Sequence, residues 1–92
     1  MMIEEQLKDI LEKTFTCQNL MIVNESRHHI GHTNSPETGE SHFSVTIVSD
    51  DFKNMSRIQR HQQVNECVHH LFDEGLHALS LSLFTPSEER YF

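Results

Sequence analysis

Two alternating segments separated by a capped helical stretch constrain the fold of this chain most strongly. Residues 42–49 (HFSVTIVS) and 77–85 (HALSLSLFT) carry apolar side chains at every second position, which predicts two half-buried strands. Between them, Ser56 and Gln59 form a capping-box pattern at the start of a predicted helix from about Arg57 to Glu74. Because strand–helix–strand connections within one sheet are right-handed crossovers, the two strands are expected to run parallel.

The predicted second helix ends where Gly75 occupies the position typical of a helix C-terminal glycine. Its predicted buried stripe consists of Ile58, Val64, Val68, Leu71 and Phe72. A first helix is predicted over residues 2–15, where Ile3, Leu7, Ile10, Leu11 and Phe15 share one face. The apolar run 20–23 predicts a further strand, and residues 27–41 have the composition of a loop.

The predicted order is therefore α-β-β-α-β, in the α/β (α+β) class, as a single domain over residues 1–92. The first two strands are expected to pair antiparallel, since they are adjacent in the chain. Together with the parallel pair, they predict a three-stranded mixed sheet with two helices on one face. The tail, SEERYF, is predicted to add a short helical turn.

This topology predicts that histidines far apart in sequence meet at one end of the sheet. His42 opens the second strand and His77 opens the third, and parallel strands begin at the same end. The loop that leads into the second strand contains His28, His29 and His32. The predicted fold therefore brings these five side chains to a common region.

Imidazole groups suit zinc, copper, nickel and iron. The histidine spacing matches no zinc signature, neither HExxH nor paired CxxC. One loop histidine and His77 would supply two protein ligands, which is too few for a closed tetrahedral site. Two ligands are suited to a metal site that is shared with a partner.

The charge balance bears on nucleic-acid binding and on catalysis. The net charge of −7 opposes the basic footprint that phosphate binding requires, and the basic cluster Lys53, Arg57 and Arg60 is the candidate for a local exception. That cluster, at the start of the second helix, supports an alternative interpretation as a DNA-binding surface. The chain has no nucleophile elbow and no glycine-rich phosphate loop, so no enzymatic turnover is predicted.

The cysteine pattern and the N-terminus indicate a compartment. Cys17 and Cys67 are fifty positions apart and form no CxxC, which favours reduced thiols in a cytosol-like environment. The first residues, MMIEEQ, are acidic rather than an apolar leader, and no apolar run is long enough to span a bilayer. A cytoplasmic protein without a membrane partner is expected.

Four blocks of the sequence, in order, resemble the signature blocks of the BolA family. They are NESRHH, SHFSVTIVSDDF, RIQRHQQVNECV and HALSLSLFTP, and the resemblance spans residues 20–86. It implies a KH-like α/β domain, in agreement with the order derived from the residues. One departure is Asn54, which stands where the family commonly has glycine; asparagine can also adopt a left-handed conformation.

The resemblance also implies a function. BolA-like proteins form complexes with monothiol glutaredoxins, and the pair can hold a [2Fe-2S] cluster whose other ligands are the glutaredoxin cysteine and a glutathione thiol. Carried over to this sequence, the ligands are His77 and His29, with His28 and His32 as alternatives. His42 alternates with Phe43 along its strand and so faces away from the core. It is expected either to hydrogen-bond near the cluster and tune it or to lie on the surface.

The family resemblance sets further expectations for partners and regulation. A role in iron–sulfur and iron homeostasis and in the stress response is implied, and some family members bind DNA and regulate transcription. No cluster is expected in the isolated chain, because it supplies only half of the ligands. Alone, the protein is expected to be a monomer or a weak homodimer.

Overall fold

The computed structural model describes residues 3–25 and 42–88. The helices and strands are α1 (Ile3–Thr14), β1 (Cys17–Asn24), β2 (His42–Ser49), α2 (Arg57–Val68) and β3 (Ala78–Phe84). The predicted order α-β-β-α-β is confirmed. The predicted loop, residues 27–41, lies wholly outside the described residues, and of the tail only residues 87 and 88, which belong to a turn over residues 86–88, are described.

The sheet is mixed, as predicted, with strand order β1-β2-β3. β1 pairs with β2 antiparallel, and β2 pairs with β3 parallel in a register that places His42 beside Ala78. β1 is longer than the predicted strand over residues 20–23, because its polar first residues also pair with β2. Pairing with a neighbouring strand thus extends β1 beyond its apolar run.

One face of the sheet packs against the two helices and forms the core. Alternate residues of β2 point into this core, as the period of a strand requires. The buried apolar residues that form this core cluster are Ile3, Leu7, Leu11, Phe15, Phe43, Val45, Ile47, Phe52, Val64, Val68, Leu71, Leu76 and Leu83. Truncating one of the fully buried leucines to alanine would cost about 2–5 kcal/mol, so this layer fixes the strand positions.

The predicted buried stripe of the second helix is wrong at two positions. The side chain of Ile58 is 70% exposed and that of Phe72 is 37% exposed, whereas Arg60 is only 7% exposed. Arg60 precedes the buried Val64 and Val68 by four and eight residues, so helical spacing places it on the core face. The buried stripe of α2 therefore includes Arg60 and excludes Ile58, which the pattern of apolar residues alone had predicted to be buried.

Local capping fixes where α2 begins and how the chain leaves it. The Ser56 hydroxyl accepts from the Gln59 amide at 3.1 Å, and the Gln59 side chain accepts from the Ser56 amide at 2.8 Å, which confirms the capping box. The predicted helix continues past Val68 as a 3₁₀ helix, His69–Glu74. Gly75 then adopts φ 121°, a conformation that favours glycine, and turns the chain towards β3.

Asn54 has φ 65°, as its place in the glycine position suggested. This left-handed residue lies in the short connection between the 3₁₀ turn Asp50–Phe52 and α2. Asparagine tolerates the conformation better than most residues with a Cβ atom. The departure from glycine at this position is therefore compatible with the turn.

Candidate functional site at the start of the parallel strands

The parallel pairing of β2 and β3 brings His42 and His77 together, as the topology predicted. His77 immediately precedes β3, and its ring centroid lies 6.2 Å from that of His42 in an edge-to-face arrangement at 67°. The two residues are thirty-five positions apart in sequence. The sheet, rather than any local motif, creates this pair of imidazoles.

The two imidazoles differ in their surroundings. His42 is half-buried within β2 and has interaction partners, whereas the side chain of His77 is exposed and makes no hydrogen bond with the described residues. The edge of one ring packs against the other, which restricts the orientation of His77 without occupying its nitrogen atoms. An exposed imidazole held beside a second one is suited to bind a metal that a partner also ligates.

A backbone hydrogen bond anchors the segment that leads to the loop histidines. The Glu25 amide donates to the His42 carbonyl at 2.8 Å, so the chain leaves the sheet beside the candidate site. His28, His29 and His32 follow within a few residues in sequence, but they lie outside the described residues. Their assignment as ligands stays a prediction.

Within residues 3–25 and 42–88, no group of three or more histidine, cysteine, aspartate or glutamate side chains forms a metal site. Among these residues, His77 is an exposed imidazole, and its neighbour is the half-buried imidazole of His42. Neutral imidazole nitrogen is a suitable ligand for iron, so the donor chemistry at this end of the sheet fits an iron–sulfur cluster.

Cys17 is remote from this end of the sheet. It pairs with Ser49, seven residues along β2 from His42, which is roughly 23 Å at about 3.3 Å per residue. Burial, and then the nearby Glu12 and Asp51 carboxylates, raise the pKa of the Cys17 thiol. A thiol that resists ionisation and lies at the far end of the sheet does not contribute a thiolate ligand beside His77.

The structure places Arg60, one of the predicted phosphate contacts, in the interior rather than on the surface. Its guanidinium donates to the Leu83 carbonyl at 3.0 Å, to the Met55 carbonyl at 3.2 Å and to Glu88 at 2.6 Å. It also lies 5.9 Å from the centre of the Phe52 ring. Within the part of the chain that the structure describes, Arg60 therefore bonds to other residues of the same chain. It joins α2 to the end of β3 and to the residues beyond it.

Glu88 completes this interior contact and was missed in the sequence. Hydrogen bonds from Arg60, followed by the Thr85 backbone amide, lower the pKa of Glu88 from 4.5 to about 2. The two charged residues are twenty-eight positions apart, and no local pattern links them. The available signal was the helical spacing of Arg60 from Val64 and Val68, which indicated a buried arginine in need of a carboxylate.

The other two residues of the basic cluster remain on the surface. Lys53 pairs with Asp50 at 3.1 Å, which offsets its charge. Arg57 is exposed on the first turn of α2, where its carbonyl contacts the His61 ring nitrogen Nδ1 at 2.8 Å. The structure therefore leaves Arg57 and, in part, Lys53 as the candidate phosphate contacts.

Comparisons with known proteins agree on one family. The family model described as BolA-like protein matches residues 11–88. The DNA-binding transcriptional regulator BolA of Haemophilus influenzae is 41% identical over 88 residues, which cover 96% of this chain and 82% of that protein. A BolA-like protein of Dictyostelium discoideum is 41% identical over 87 residues, covering 94% of this chain and 73% of that one.

Solved structures lead to the same fold. The structure of BolA1 from Arabidopsis thaliana superposes with a TM-score of 0.82 at 36% identity, covering 91% of this chain and 92% of that one.

Along the described parts of the chain, no helix combines the length and apolar character needed to cross a membrane.

Proposed function

This chain belongs to the BolA family, and from that premise we propose that it is a non-enzymatic adaptor that binds a monothiol glutaredoxin and co-ligates a bridging [2Fe-2S] cluster. The observation that carries the proposal is His77, an exposed imidazole held at the start of β3 beside His42. The glutaredoxin cysteine and a glutathione thiol would supply the remaining ligands. The role would lie in iron–sulfur and iron homeostasis and in the stress response, in the cytoplasm.

The chain would bind the cluster from two directions. His77 would approach from the sheet, where the turn at Gly75 and the register of β3 fix its backbone. His29 would approach from the segment that begins at Glu25, with His28 and His32 as alternatives. The hydrogen bond between Glu25 and His42 supports this arrangement, because it starts that segment beside the site.

His42 would act on the site through His77. Its half-buried ring packs against His77 and limits the rotation of the ligating ring. Residues that orient metal ligands tune both affinity and potential. When bound, a cluster with imidazole in place of thiolate carries less negative charge and has a higher reduction potential, as in Rieske-type centres.

The proposal is tested by reconstitution. The protein is mixed with a monothiol glutaredoxin, glutathione, iron and sulfide, and visible absorption and circular dichroism are recorded. A spectrum distinct from that of the glutaredoxin alone is expected. A spectrum identical to that of the glutaredoxin alone would contradict a shared cluster.

The variant His77→Ala isolates the ligand, and His70→Ala is the matched control because His70 is also exposed but lies on the 3₁₀ helix. Loss of the shared-cluster spectrum in His77→Ala alone is expected. Metal-free binding of the glutaredoxin, measured by calorimetry, provides a readout that does not depend on the cluster. An unaltered cluster spectrum in His77→Ala would remove this residue from the site.

A second candidate function is DNA binding, because one relative is named a DNA-binding transcriptional regulator. The exposed Arg57, at the capped start of α2, would be its main phosphate contact, with Lys53 beside it. Two phosphate contacts would give a slope of about −2 in log K against log salt. A mobility-shift assay on Arg57→Ala and Lys53→Ala tests this function, since neither residue is buried in the core.

A further inference from the structure

β1 lies at one edge of the sheet, with β2 on its other side. Strands at sheet edges are commonly protected by lysine, by proline, by a short length or by a covering element. β1 is eight residues long, and its sequence, CQNLMIVN, contains no charged residue and no proline. It therefore lacks the side chains that usually prevent another strand from pairing with an edge.

Apolar side chains are accessible on both faces of β1. On the face away from the helices, Met21 is 55% exposed and Val23 is 45% exposed. On the helix face, Leu20 and Ile22 are only half-buried, although they pack at the margin of the core. A strand added beside β1 could bury apolar surface on both faces as well as form backbone hydrogen bonds.

A groove between α1 and β1 gives this edge an electrostatic character. Leu20 and Ile22 line the β1 side, and Glu4, Glu5, Glu12 and Lys8 line the α1 side. Three carboxylates and one ammonium give the wall a net charge of −2. The groove has a volume of about 370 Å³.

With the described residues, the carboxylates of this wall form no ion pair. The ion pairs found within residues 3–25 and 42–88 join Lys13 to Asp9, Lys53 to Asp50 and Arg60 to Glu88. None of them involves a carboxylate of the groove. The apolar floor and acidic wall therefore complement a segment with alternating apolar and basic side chains.

We infer that β1 and the adjoining groove form a docking edge for a partner strand that carries lysine or arginine side chains at alternate positions. The partner strand pairs with the backbone of β1. Its basic side chains face the carboxylates of α1, and its apolar side chains cover Met21 and Val23 on the opposite face. We refer to β1 with the groove residues of α1 as the β1 edge.

Charge selects a basic partner over a second copy of this chain. Each copy carries a net charge of −7, and pairing two β1 strands would bring the carboxylates of both α1 helices towards one interface. Like charges across an interface oppose association. A basic strand removes this repulsion and forms opposite-charge pairs instead.

The β1 edge is tested separately from the proposed cluster function, although the two regions are close to each other. β3, which follows His77, lies at the other edge of the sheet, two strands away. At a spacing of about 4.8 Å per strand, the two edge strands are roughly 10 Å apart, and they face opposite directions within the sheet. The end of β1 nevertheless lies beside the candidate site, because the Glu25 amide donates to the His42 carbonyl. The peptide experiment therefore uses the metal-free chain without a glutaredoxin, so that its outcome does not depend on the cluster.

The test uses two synthetic peptides as long as β1, one alternating lysine with valine and the other alternating glutamate with valine. Binding to the full chain is measured by fluorescence anisotropy at several salt concentrations. Amide exchange is followed by NMR in the same samples. We expect saturable, salt-sensitive binding of the lysine peptide only, with slowed amide exchange confined to β1.

Met21→Lys adds a cation to the edge, and Ile58→Lys makes the same kind of change at a 70% exposed residue of α2. Met21→Lys should weaken binding of the lysine peptide about tenfold, whereas Ile58→Lys should leave it within about twofold.

The double variant Glu4→Gln/Glu5→Gln should weaken binding and flatten its salt dependence, with Glu66→Gln as the control for charge.

Four results would overturn the inference. The first is an absence of saturable binding, and the second is slowed exchange outside β1. The third is an equal effect of Met21→Lys and Ile58→Lys on peptide binding. The fourth is slowed exchange in β1 that rises with protein concentration without peptide, together with a doubled mass in light scattering. That fourth result would assign the edge to a second copy of the chain.

Discussion

The two ends of the sheet differ in how their polar side chains are bonded. Where β2 and β3 end, the buried Ser49, the buried Arg60 and Glu88 are all bonded within the chain. Where the same strands begin, the exposed ring of His77 has His42 as a packing neighbour but no hydrogen bond with the described residues. The polar groups at the first end stabilise the fold, whereas the imidazole nitrogen atoms of His77 at the second end are accessible to solvent.

The difference between the two ends follows from the energetic cost of burying polar groups. A buried polar group without a partner costs about 1–3 kcal/mol, and more if it is charged. Arg60 is tolerated at 7% exposure because its described contacts offset that cost. His77 remains in contact with water, so it has no such requirement and its nitrogen atoms are not needed for folding.

The largest effect on stability is expected for Arg60→Ala. The variant removes the hydrogen bonds to Glu88 and to the Leu83 carbonyl and leaves a cavity beside Phe52, at a cost of roughly 3 kcal/mol. Chemical denaturation measures this loss. Arg57→Ala is the control, and its exposed side chain should change stability by less than about 0.5 kcal/mol. Equal losses in the two variants would contradict the internal role of Arg60.

A smaller loss is expected for Ser49→Ala. The fully buried hydroxyl donates to the Thr16 carbonyl at 2.7 Å and accepts from the Asp51 amide at 3.1 Å. Its removal leaves both backbone groups without this partner and should cost about 1–2 kcal/mol in denaturant unfolding. Ser80→Ala, at an exposed position of β3, is the matched control and should be nearly neutral. A neutral Ser49→Ala would show that water replaces the hydroxyl.

Acid should destabilise the fold by protonating Glu88, which bonds to Arg60 at the end of β3. Its pKa is lowered from 4.5 to about 2 by Arg60, so the folded state binds a proton less readily than the unfolded chain. The stabilisation is therefore fully present above pH 4.5 and is lost as the pH falls from 4.5 towards 2. Unfolding followed across this range should have a shallower acid dependence in Glu88→Gln than in the unaltered chain. Identical pH profiles would exclude Glu88 as a contributor.

The smallest effect on stability is expected for His77→Ala. Because the ring is exposed and makes no hydrogen bond with the described residues, its loss should change the free energy of unfolding by less than about 0.5 kcal/mol. Thermal unfolding of the metal-free variant checks this value. A loss comparable to that of Ser49→Ala would mean that His77 serves the fold, and the contrast between the two ends would fail.

Much of the fold could be predicted because its patterns are local. The period-2 alternation of β2 and β3, the capping box at Ser56 and the glycine at Gly75 all agree with the structure. The position of His77 beside His42 followed from one further rule, the parallel direction of strands joined by a helix. These features need no knowledge of contacts between distant side chains.

The predictions from the sequence were wrong where contacts between residues far apart in the chain determine which side chains are buried. Ile58 and Phe72 are apolar but exposed, and Arg60 is charged but buried, because Glu88 reaches it from beyond β3. The length of β1 was also underestimated, since its first residues are polar and pair with β2 all the same. The loop histidines, including His29, lie outside the described residues, so their roles remain predictions.

In the proposed function, this chain donates histidine nitrogen to a cluster shared with a glutaredoxin. The most direct test labels only this chain with ¹⁵N-histidine, reconstitutes the complex, reduces the cluster and measures nitrogen hyperfine coupling by pulsed electron paramagnetic resonance. We expect strong ¹⁵N couplings, one of which is absent in His77→Ala and retained in His70→Ala. A reduced cluster without strong ¹⁵N coupling from this chain would contradict histidine ligation.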